Sequence, residues 1–551
     1  MSSTVHHRIP PDARAAASLL LLRDGDAGLE VLMLRRAERD GDLRSGAAVF
    51  PGGVLDARDR AAHAWCEGDD DEGLSRRLGL AEGGLDYAVA ALRETFEEVG
   101  LLLACGGCLP DAETLHEWRG RLQRGEAAIA EMCSAFGLRL DAGSLVYYSH
   151  WLTPPGVPKR FDTRFFVTLA PAGQTAVADM GEALELMWLT PAQALEAARG
   201  LKLLPVTRRT LEDLQRFADA GAALEAARAR REVRLTMPRR AESRKGMRIV
   251  LPDELPWAEI GRLDPEGRGD AMCELVPGRV VWLSPRVARV TAPNPGPMTG
   301  PGTNTYLVGE PGGHGWTVID PGPADASHVQ ALLTAVPGRI ERILVTHTHR
   351  DHSPGAVPLA AATGAPVLGR RALYPEWQDP HFAPEREIAD GERFALGPST
   401  ELLALHTPGH ASNHVCFLLP EEKLLFTGDH VMQGSTVVIN PPDGDMATYL
   451  RSLRTLLDLD LEWLAPGHGF LVAEPHDIVR ALVAHRLRRE AKVADALARL
   501  GSGTLGQLVP AVYDDVPAAL HGVAARSLLA HLIKLQGDGR AALEGEVWMS
   551  V

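Results

Sequence analysis

Apolar positions fall into two textures along the chain. In the first, the runs AASLLLL and LEVLMLRRA flank the turn residues DGDAG between Ala15 and Ala37, which predicts a strand hairpin opening an α/β domain. The same texture predicts a helix over about 84–103, a strand over 161–169 (FDTRFFVTL), and helices over 191–198 and 208–226. Beyond Pro252 the runs become short and are divided by Pro and Gly: RVVWLSP, TNTYLVG, WTVIDPG, RILVTH, ELLALH, HVCFLLP and KLLFTGD. Alternating with helical stretches such as 324–335, they predict a layered α/β sandwich. After His468 the pattern turns helical over 476–500, 505–513 and 518–535, and the chain closes with a hairpin in GRAALEGEVWMSV. Three helices and a two-stranded wing outline a winged helix.

Length agrees with this division, since 551 residues ask for three or four domains. With 45% hydrophobic and 23% charged residues, disorder, collagen and coiled coil are excluded. The net charge of −15, from 57 Lys+Arg against 72 Asp+Glu, argues against a general nucleic-acid coat and leaves a local basic patch open. Six Cys do not make a disulfide scaffold, and Cys105-Gly106-Gly107-Cys108 has no partner pair to complete a zinc site. The start of the sequence lacks a basic segment followed by a long apolar one, and the run at Leu19–Leu22 falls far short of the ~20 residues of a membrane span. The expectation is a soluble, cytoplasmic protein with no membrane partner. One segment departs from the acidic balance: residues 228–248 hold nine Arg/Lys against two Glu. Two readings stand, a solvated linker and a phosphate-contacting arm.

Candidate chemistry gathers in two places. In the predicted 84–103 helix, Glu94 shares a face with Glu97 and Glu98, while Leu92, Phe96 and Val99 fall opposite. Crowded carboxylates repel, Arg93 neutralises one of them, and hard oxygen ligands suit Mg²⁺ or Mn²⁺ better than zinc. The stretch Arg93 to Leu101 resembles the second half of the Nudix box, R-E-U-x-E-E-x-G-U. Phe50-Pro51-Gly52-Gly53, followed after five residues by Asp59, looks like its first half. Asp59 stands where that family has Glu, and 33 residues rather than seven separate it from Arg93, an insertion of 26 that contains the acidic run EGDDDEG, read as a solvated loop. The interrupted box, with WLTPPGVPKRFDTRFF and LLPVTRRTL further on, is similar to the acyl-CoA diphosphatase branch. That resemblance implies attack of water on a diphosphate, with Glu97 and Glu98 as metal ligands and Glu94 as ligand or base. It also implies that Arg93 orients the carboxylates and that Gly53 lends a backbone carbonyl.

The second place is Thr346-His347-Thr348-His349-Arg350-Asp351-His352, directly after the apolar run Ile343-Leu344-Val345. In extended chain His347 and His349 point to one side and can share a metal, while Asp351 and His352 lie one turn further on. His410, Asp429 and His468 each follow an apolar run and sit beside Gly, which suits ligands presented by tight turns at a sheet edge. His406, His414 and His430 are read as supporting neighbours.

The set resembles the metallo-β-lactamase superfamily, and TAPNPGPMTGPGTNTYLVG with the winged-helix ending looks like its lactamase-beta-2-like branch. The resemblance implies two Zn²⁺, one held by His347, His349 and His410, the other by Asp351, His352 and His468, with Asp429 bridging. Asp351 and Asp429, with Glu94 of the first site, are then the candidate catalytic carboxylates.

The fold class expected is α/β multidomain: a Nudix α/β/α sandwich over 10–235, a linker and lead-in over 236–274, a metallo-β-lactamase αββα sandwich over 275–475 and a winged helix over 476–551. The function expected is a two-site metal-dependent hydrolase. One site would act on a CoA-like or nucleoside diphosphate derivative, the other on an ester, thioester or phosphodiester. The alternative is a single-strand endoribonuclease in the C-terminal half, binding single-stranded RNA, with the N-terminal half a non-catalytic ligand-binding regulator.

Overall fold

Leu19, Leu20, Leu21 and Leu22 are all fully buried, because the strand that carries them, Ala13–Gly25, lies in the middle of a sheet covered on both faces. The computed structural model describes residues 9–37, 45–179, 181, 183–375 and 378–551. The chain divides into two units, Met1–Arg240 with Glu266–Arg268, and Ala241–Pro265 with Gly269–Val551.

In the first unit, Ala13–Gly25 pairs antiparallel with Gly28–Arg36 and parallel with Arg160–Leu169, which pairs antiparallel with Val146–Leu152. Ala17, Leu19 and Leu21 point into one core with Leu85, Ala88, Leu92, Phe96 and Val99 of the helix Gly84–Val99. The predicted helix to residue 103 stops at Val99 because Gly100 turns left-handed (φ +71°) and caps it, although Leu101, Leu102 and Leu103 remain in the core. The stretch predicted over 208–226 is two helices, Pro205–Leu214 and Ala220–Arg228.

The acidic run is only in part a solvated loop, because Asp71, Glu72 and Gly73 open a helix. Asp70 caps the helix Asp71–Leu78 by accepting from the Gly73 amide, and the Asp71 carboxylate accepts from the Gly83 and Leu85 amides at 3.0 and 2.9 Å. The carboxylates thus sit at helix N-termini, where unpaired backbone amides and the helix dipole favour negative charge. Counting charge along the chain could not show this, because the amides involved belong to a helix that starts a dozen residues later.

The basic run contains the strands Arg239–Ser243 and Gly246–Val250. Several of its cations face protein partners: Arg228 meets Glu225 at 2.7 Å, Arg230 donates to the Tyr148 carbonyl at 2.9 Å, Arg244 meets Glu274 at 2.7 Å and Arg248 pairs with Glu254.

The sandwich of the second unit is built on two sheets, one of seven strands from Val280–Ser284 to Arg386–Glu387 and one of six from Arg393–Gly397 to Val472–Ala473. Between them lie Val287, Tyr306, Ile319 and Leu344 from the first sheet and Leu402, Phe417, Phe426 and Ala465 from the second. The outer face of the first sheet is covered by the helices Ala326–Thr334 and Ala356–Thr363, that of the second by Met446–Thr455 and Pro475–Leu500. This is a four-layer αββα sandwich. Pro475–Leu500 runs on past it, and its Val493 and Leu497 pack with Leu508, Val512, Leu528 and Leu532 of the helices Leu505–Val512 and His521–Gly537 and with Trp548 of the wing. Among the described residues, no helix is long and apolar enough to cross a membrane.

Residues 253–275 brace this sandwich through a buried ion pair. Glu259 of the helix Trp257–Leu263 receives both terminal nitrogens of Arg289 at 2.7 and 2.8 Å and also the Leu471 amide at 2.7 Å. Both side chains are all but inaccessible, at 2% and 1%. Removing one partner leaves a charge buried without compensation, so Glu259→Ala should destabilise the second unit by about 3–5 kcal/mol. Denaturant unfolding followed by Trp fluorescence measures it, and a loss below ~1 kcal/mol would show that the pair does not brace the fold.

Candidate functional site

The strand Arg339–Leu344 ends just before the histidine-rich run, so Val345 to His352 leave the sheet edge as irregular backbone. Here His347 Nε2 lies 2.9 Å from His349 Nδ1, which lies 3.0 Å from His410 Nε2. His352 Nε2 lies 3.3 Å from Asp351 Oδ2 and 3.4 Å from Asp429 Oδ1, and His468 Nε2 lies 3.2 and 3.4 Å from the same two oxygens. The other oxygen of Asp429 faces His410 Nε2 at 3.8 Å. All seven side chains singled out in the sequence therefore meet. Three groupings have ligand atoms within 4.8 Å of one another: His347, His349, His410; His347, His352, Asp429; and Asp351, His352, His468. Asp429 joins the first cluster to the last.

Hydrogen bonds at the back of the rings fix which nitrogen faces inward. His410 Nδ1 lies 2.8 Å from the Val438 carbonyl and His468 Nδ1 lies 3.2 Å from the Gly302 carbonyl. A carbonyl can only accept, so Nδ1 carries the proton in both and, in the neutral ring, Nε2 presents a lone pair. Thr346 Oγ1 donates to Asp320 Oδ2 at 2.7 Å and must therefore accept from His347 Nδ1 at 3.0 Å. His352 Nδ1 donates to the same Asp320 carboxylate at 2.8 Å. The buried atoms His352 Nε2, His468 Nε2 and Asp429 Oδ1 have no hydrogen-bond partner. Buried polar atoms are rarely left so. An inward-facing set of imidazole nitrogens and carboxylate oxygens with unfilled valences fits a pair of divalent cations.

The two clusters differ in proton affinity. Burial drives His347 far below the ordinary imidazole range and His349 down to about 3, with neighbouring imidazoles adding to the effect, and it lowers His410 as well. Burial opposes protonation of His352 and His468 too, but the carboxylates beside them win: His352 is raised well above its ordinary value by Asp351, Asp429 and Asp320, and His468 to about 9 by Asp429 and Asp351.

Residues that the sequence reading missed hold these seven side chains in place. Asp320, in the WTVIDPG run, adopts φ +52° and ties His352 to Thr346; an acidic residue between an apolar strand and a Pro-Gly turn was the signal available for it. Thr303 donates to Asp351 Oδ2 at 3.3 Å and is held by Asn294 at 2.9 Å, so the loop before the strand Asn304–Gly309 steadies both Asp351 and His468. Val438 acts through its backbone and left no signal. Gly467 must lack a side chain, since a β-carbon there would lie 2.7 Å from Asp429 Oδ1 and 2.7 Å from His352 Cε1. His414 is wholly buried and stacks on His347 with ring centroids 5.1 Å apart, whereas His406 reaches the Ser412 carbonyl. His430 packs beside His414 and Tyr449.

In the first unit the interrupted box closes in space. Arg93 Nε and Nη2 reach the two oxygens of Asp59 at 2.7 and 3.1 Å, Nη1 reaches Glu94 at 2.7 Å and Glu97 at 3.3 Å, and Nη2 also donates to the Val54 carbonyl. Asp59 is 1% exposed and accepts the Asp56 amide. Glu98 accepts the Gly52 amide at 2.9 Å and lies 3.6 Å from an Arg36 nitrogen. Gly53 adjoins Glu94 so closely that a β-carbon would lie 2.3 Å from its carboxyl carbon. Burial, with Glu94 adding repulsion against the pull of Arg93, pushes Glu97 up to about 7. The donors are all oxygen, and the carboxylates of Asp59, Glu94, Glu97 and Glu98 outnumber the guanidinium groups of Arg93 and Arg36 beside them, which fits a hard divalent cation. Among the described residues, though, the groupings of three close ligand atoms all lie in the second unit.

Fold and site define a hydrolase built from two different catalytic folds. Residues 298–468 match the family model of the metallo-β-lactamase superfamily, residues 71–203 that of the NUDT19 Nudix domain, and residues 504–548 that of the β-lactamase-associated winged helix domain. An atrochrysone carboxyl ACP thioesterase of Aspergillus chevalieri is 35% identical over 274 residues, 48% of this chain and 84% of that protein. A lactamase-like protein of Aspergillus niger is 34% identical over 283 residues, 48% of this chain and 85% of that protein. A Nudix hydrolase from Alicyclobacillus acidocaldarius, known as a crystal structure, is 29% identical, covering 39% of this chain and 96% of that one, with a TM-score of 0.33. The chain belongs to the metallo-β-lactamase superfamily, with a Nudix domain before the lactamase domain and its associated winged helix after it.

The split in proton affinity makes a prediction. His347 and His349 are already neutral between pH 6 and 8 and burial lowers His410 too, so a cation binding there displaces few protons. His352 and His468 hold protons in that window and must lose them, so the second cation should bind tighter as pH rises, by roughly tenfold or more per pH unit, while the first changes little. Calorimetric Zn²⁺ titration of the stripped protein, in buffers of different ionisation enthalpy, counts the protons. Equal pH dependence of the two steps would contradict the assignment.

Proposed function

We propose that this chain is a two-site metal-dependent hydrolase. Its second unit is a binuclear zinc thioesterase and its first a diphosphatase for CoA-like or nucleoside diphosphate derivatives. One observation carries the reading of the second unit: His352 Nε2 and His468 Nε2, buried and without a hydrogen bond, each lie 3.4 Å from the equally buried Asp429 Oδ1, beside the His347, His349 and His410 cluster. On this reading His347, His349 and His410 hold one ion, Asp351, His352 and His468 the other, and Asp429 both. In the first unit Glu97 and Glu98 bind Mg²⁺ or Mn²⁺, Glu94 serves as ligand or base, Gly53 offers its carbonyl, and Arg93 orients the carboxylates. When bound, the ions activate water at neutral pH and polarise the carbonyl or phosphoryl group it attacks.

The thioesterase named among the relatives favours a thioester over an ester or phosphodiester in the second unit. Hydrolysis there adds water across the C–S bond and yields a carboxylic acid and a thiol. An acyl-CoA contains both a thioester and a diphosphate, so one class of molecule offers a scissile bond to each site. The endoribonuclease alternative draws on the basic run, where Arg228, Arg230, Arg244 and Arg248 have protein partners and contribute less to a phosphate grip.

The test uses the full chain as wild type, Glu97→Gln and His349→Ala, assayed on acyl-CoAs, nucleoside diphosphate derivatives and single-stranded RNA. His349→Ala should lower thioester cleavage by about 100-fold or more and leave diphosphate cleavage intact, and Glu97→Gln should do the reverse. The proposal is falsified if neither substitution abolishes an activity. RNA cleavage with a steep salt dependence would instead favour the endoribonuclease.

A further inference from the structure

The long helix Pro475–Leu500 belongs to the winged helix at its C-terminal end and to the αββα sandwich at its N-terminal end. Its middle carries Arg486, which is 4% exposed. A guanidinium so deeply buried is costly unless its neighbours compensate. Arg486 donates to the Val437 carbonyl and lies over the ring of Tyr449, with Cζ 5.6 Å from the ring centroid.

Each of these contacts leads to a proposed metal ligand through one neighbouring residue and one hydrogen bond. Next to Val437 is Val438, whose carbonyl accepts from His410 Nδ1 at 2.8 Å and so sets which nitrogen of His410 faces the site. Tyr449 donates its hydroxyl to the carbonyl of His430, the residue after Asp429, at 2.9 Å. It also lies directly against Gly409, the residue before His410: a β-carbon on Gly409 would sit 2.3 Å from Tyr449 Cα. Gly409, at φ +141°, is further tied by its carbonyl to the Asp445 amide at 2.8 Å. His430 and Val437 lie in the loop between the strand Leu424–Gly428 and the helix Met446–Thr455, Gly409 lies in the loop after the strand Thr400–His406, and the Arg486–Tyr449 pair touches both loops.

We infer that Arg486 and Tyr449 are positioning residues for the metal centre, holding His410 and the bridging Asp429 at their mutual distance. The C-terminal helix thereby becomes part of the lactamase site rather than only an attachment for the winged helix. This inference rests on the metallohydrolase reading above. Arg486 fixes the Val437–Val438 peptide from outside, and Tyr449 fixes the His430–Val431 peptide, one residue past Asp429. Loss of either lets Asp429 or His410 move relative to the other ligands, and ligand orientation of this kind governs metal affinity.

The experiment compares the full chain as wild type, Arg486→Met, Tyr449→Phe and Arg489→Met. Arg489 lies on the same helix but pairs with Asp515 and the Val512 carbonyl in the winged helix, so it controls for damage to that domain. Each stripped protein is titrated with Zn²⁺ against a chromophoric chelator and with Co²⁺, whose visible absorption reports ligand number and symmetry. Arg486→Met and Tyr449→Phe should weaken one of the two binding steps by about 10- to 100-fold and alter the Co²⁺ spectrum, while Arg489→Met leaves both as in wild type. Tyr449→Phe keeps the ring and removes only the hydroxyl, so it decides the matter should Arg486→Met fail to fold. Unchanged affinity and spectrum in Tyr449→Phe, with normal wild-type binding, overturn this inference alone. A wild-type chain that binds neither metal overturns the metallohydrolase reading and this inference with it.

Discussion

The second unit is organised around a buried carboxylate. Asp429 Oδ1 has no hydrogen-bond partner and faces two imidazoles, and Oδ2 faces a third. A buried charge of this kind is tolerated only beside compensating charge. The sandwich delivers that compensation from the ends of its strands. His347 to His352 follow the strand Arg339–Leu344 of the first sheet, whereas Asp429 and His468 follow Leu424–Gly428 and Trp463–Pro466 of the second. The site therefore forms where edges of the two sheets meet, and its geometry depends on their packing. Glu259 and Arg289 matter for the same reason: the Glu259 carboxylate joins Arg289 of the first sheet to the Leu471 amide, three residues beyond His468.

The first unit handles charge differently. It places a guanidinium inside its cluster, so that Asp59, Glu94 and Glu97 share Arg93. Asp59 is one methylene shorter than Glu, yet it makes a two-pronged contact because the insertion returns the chain to Arg93 through the turn Asp59–Trp65 and the helix Asp71–Leu78. The acidic run anchors that detour by binding the amides that start the Gly84–Val99 helix. Residues absent from the uninterrupted motif thus bring its two halves together.

This explains how far the sequence could be read. His347, His349, Asp351 and His352 were legible because six consecutive residues contain them and one strand end presents them. His410, Asp429 and His468 were legible because each ends an apolar run beside a glycine. The face of the Gly84–Val99 helix was legible from its period, and Leu92, Phe96 and Val99 are buried as that period requires. Contacts through the backbone were not legible: Val438 and Gly302 act by carbonyls that any residue would carry. The partners of the acidic and basic runs were not legible for a related reason. Local charge density says nothing about partners such as Glu274 for Arg244 or the Tyr148 carbonyl for Arg230, which lie 30 and 82 residues away.

On the proposed reading the two sites must take different metals from one pool, and ligand chemistry decides how far they can. Imidazole-rich sets favour zinc, and oxygen sets accept Mg²⁺ or Mn²⁺ yet bind zinc more tightly still by raw affinity. Selectivity at the first site must therefore come from elsewhere. Arg93 does not supply it: a guanidinium inside the carboxylate group weakens the attraction for every dication alike, so the choice at the first site follows ligand geometry and metal availability. The second site needs no such restraint. Its His347, His349 and His410 lose proton affinity to burial, while His352 and His468 keep protons that a cation must displace. One site is tempered by a fixed positive charge and the other by exchangeable protons, so pH should bear strongly on the second.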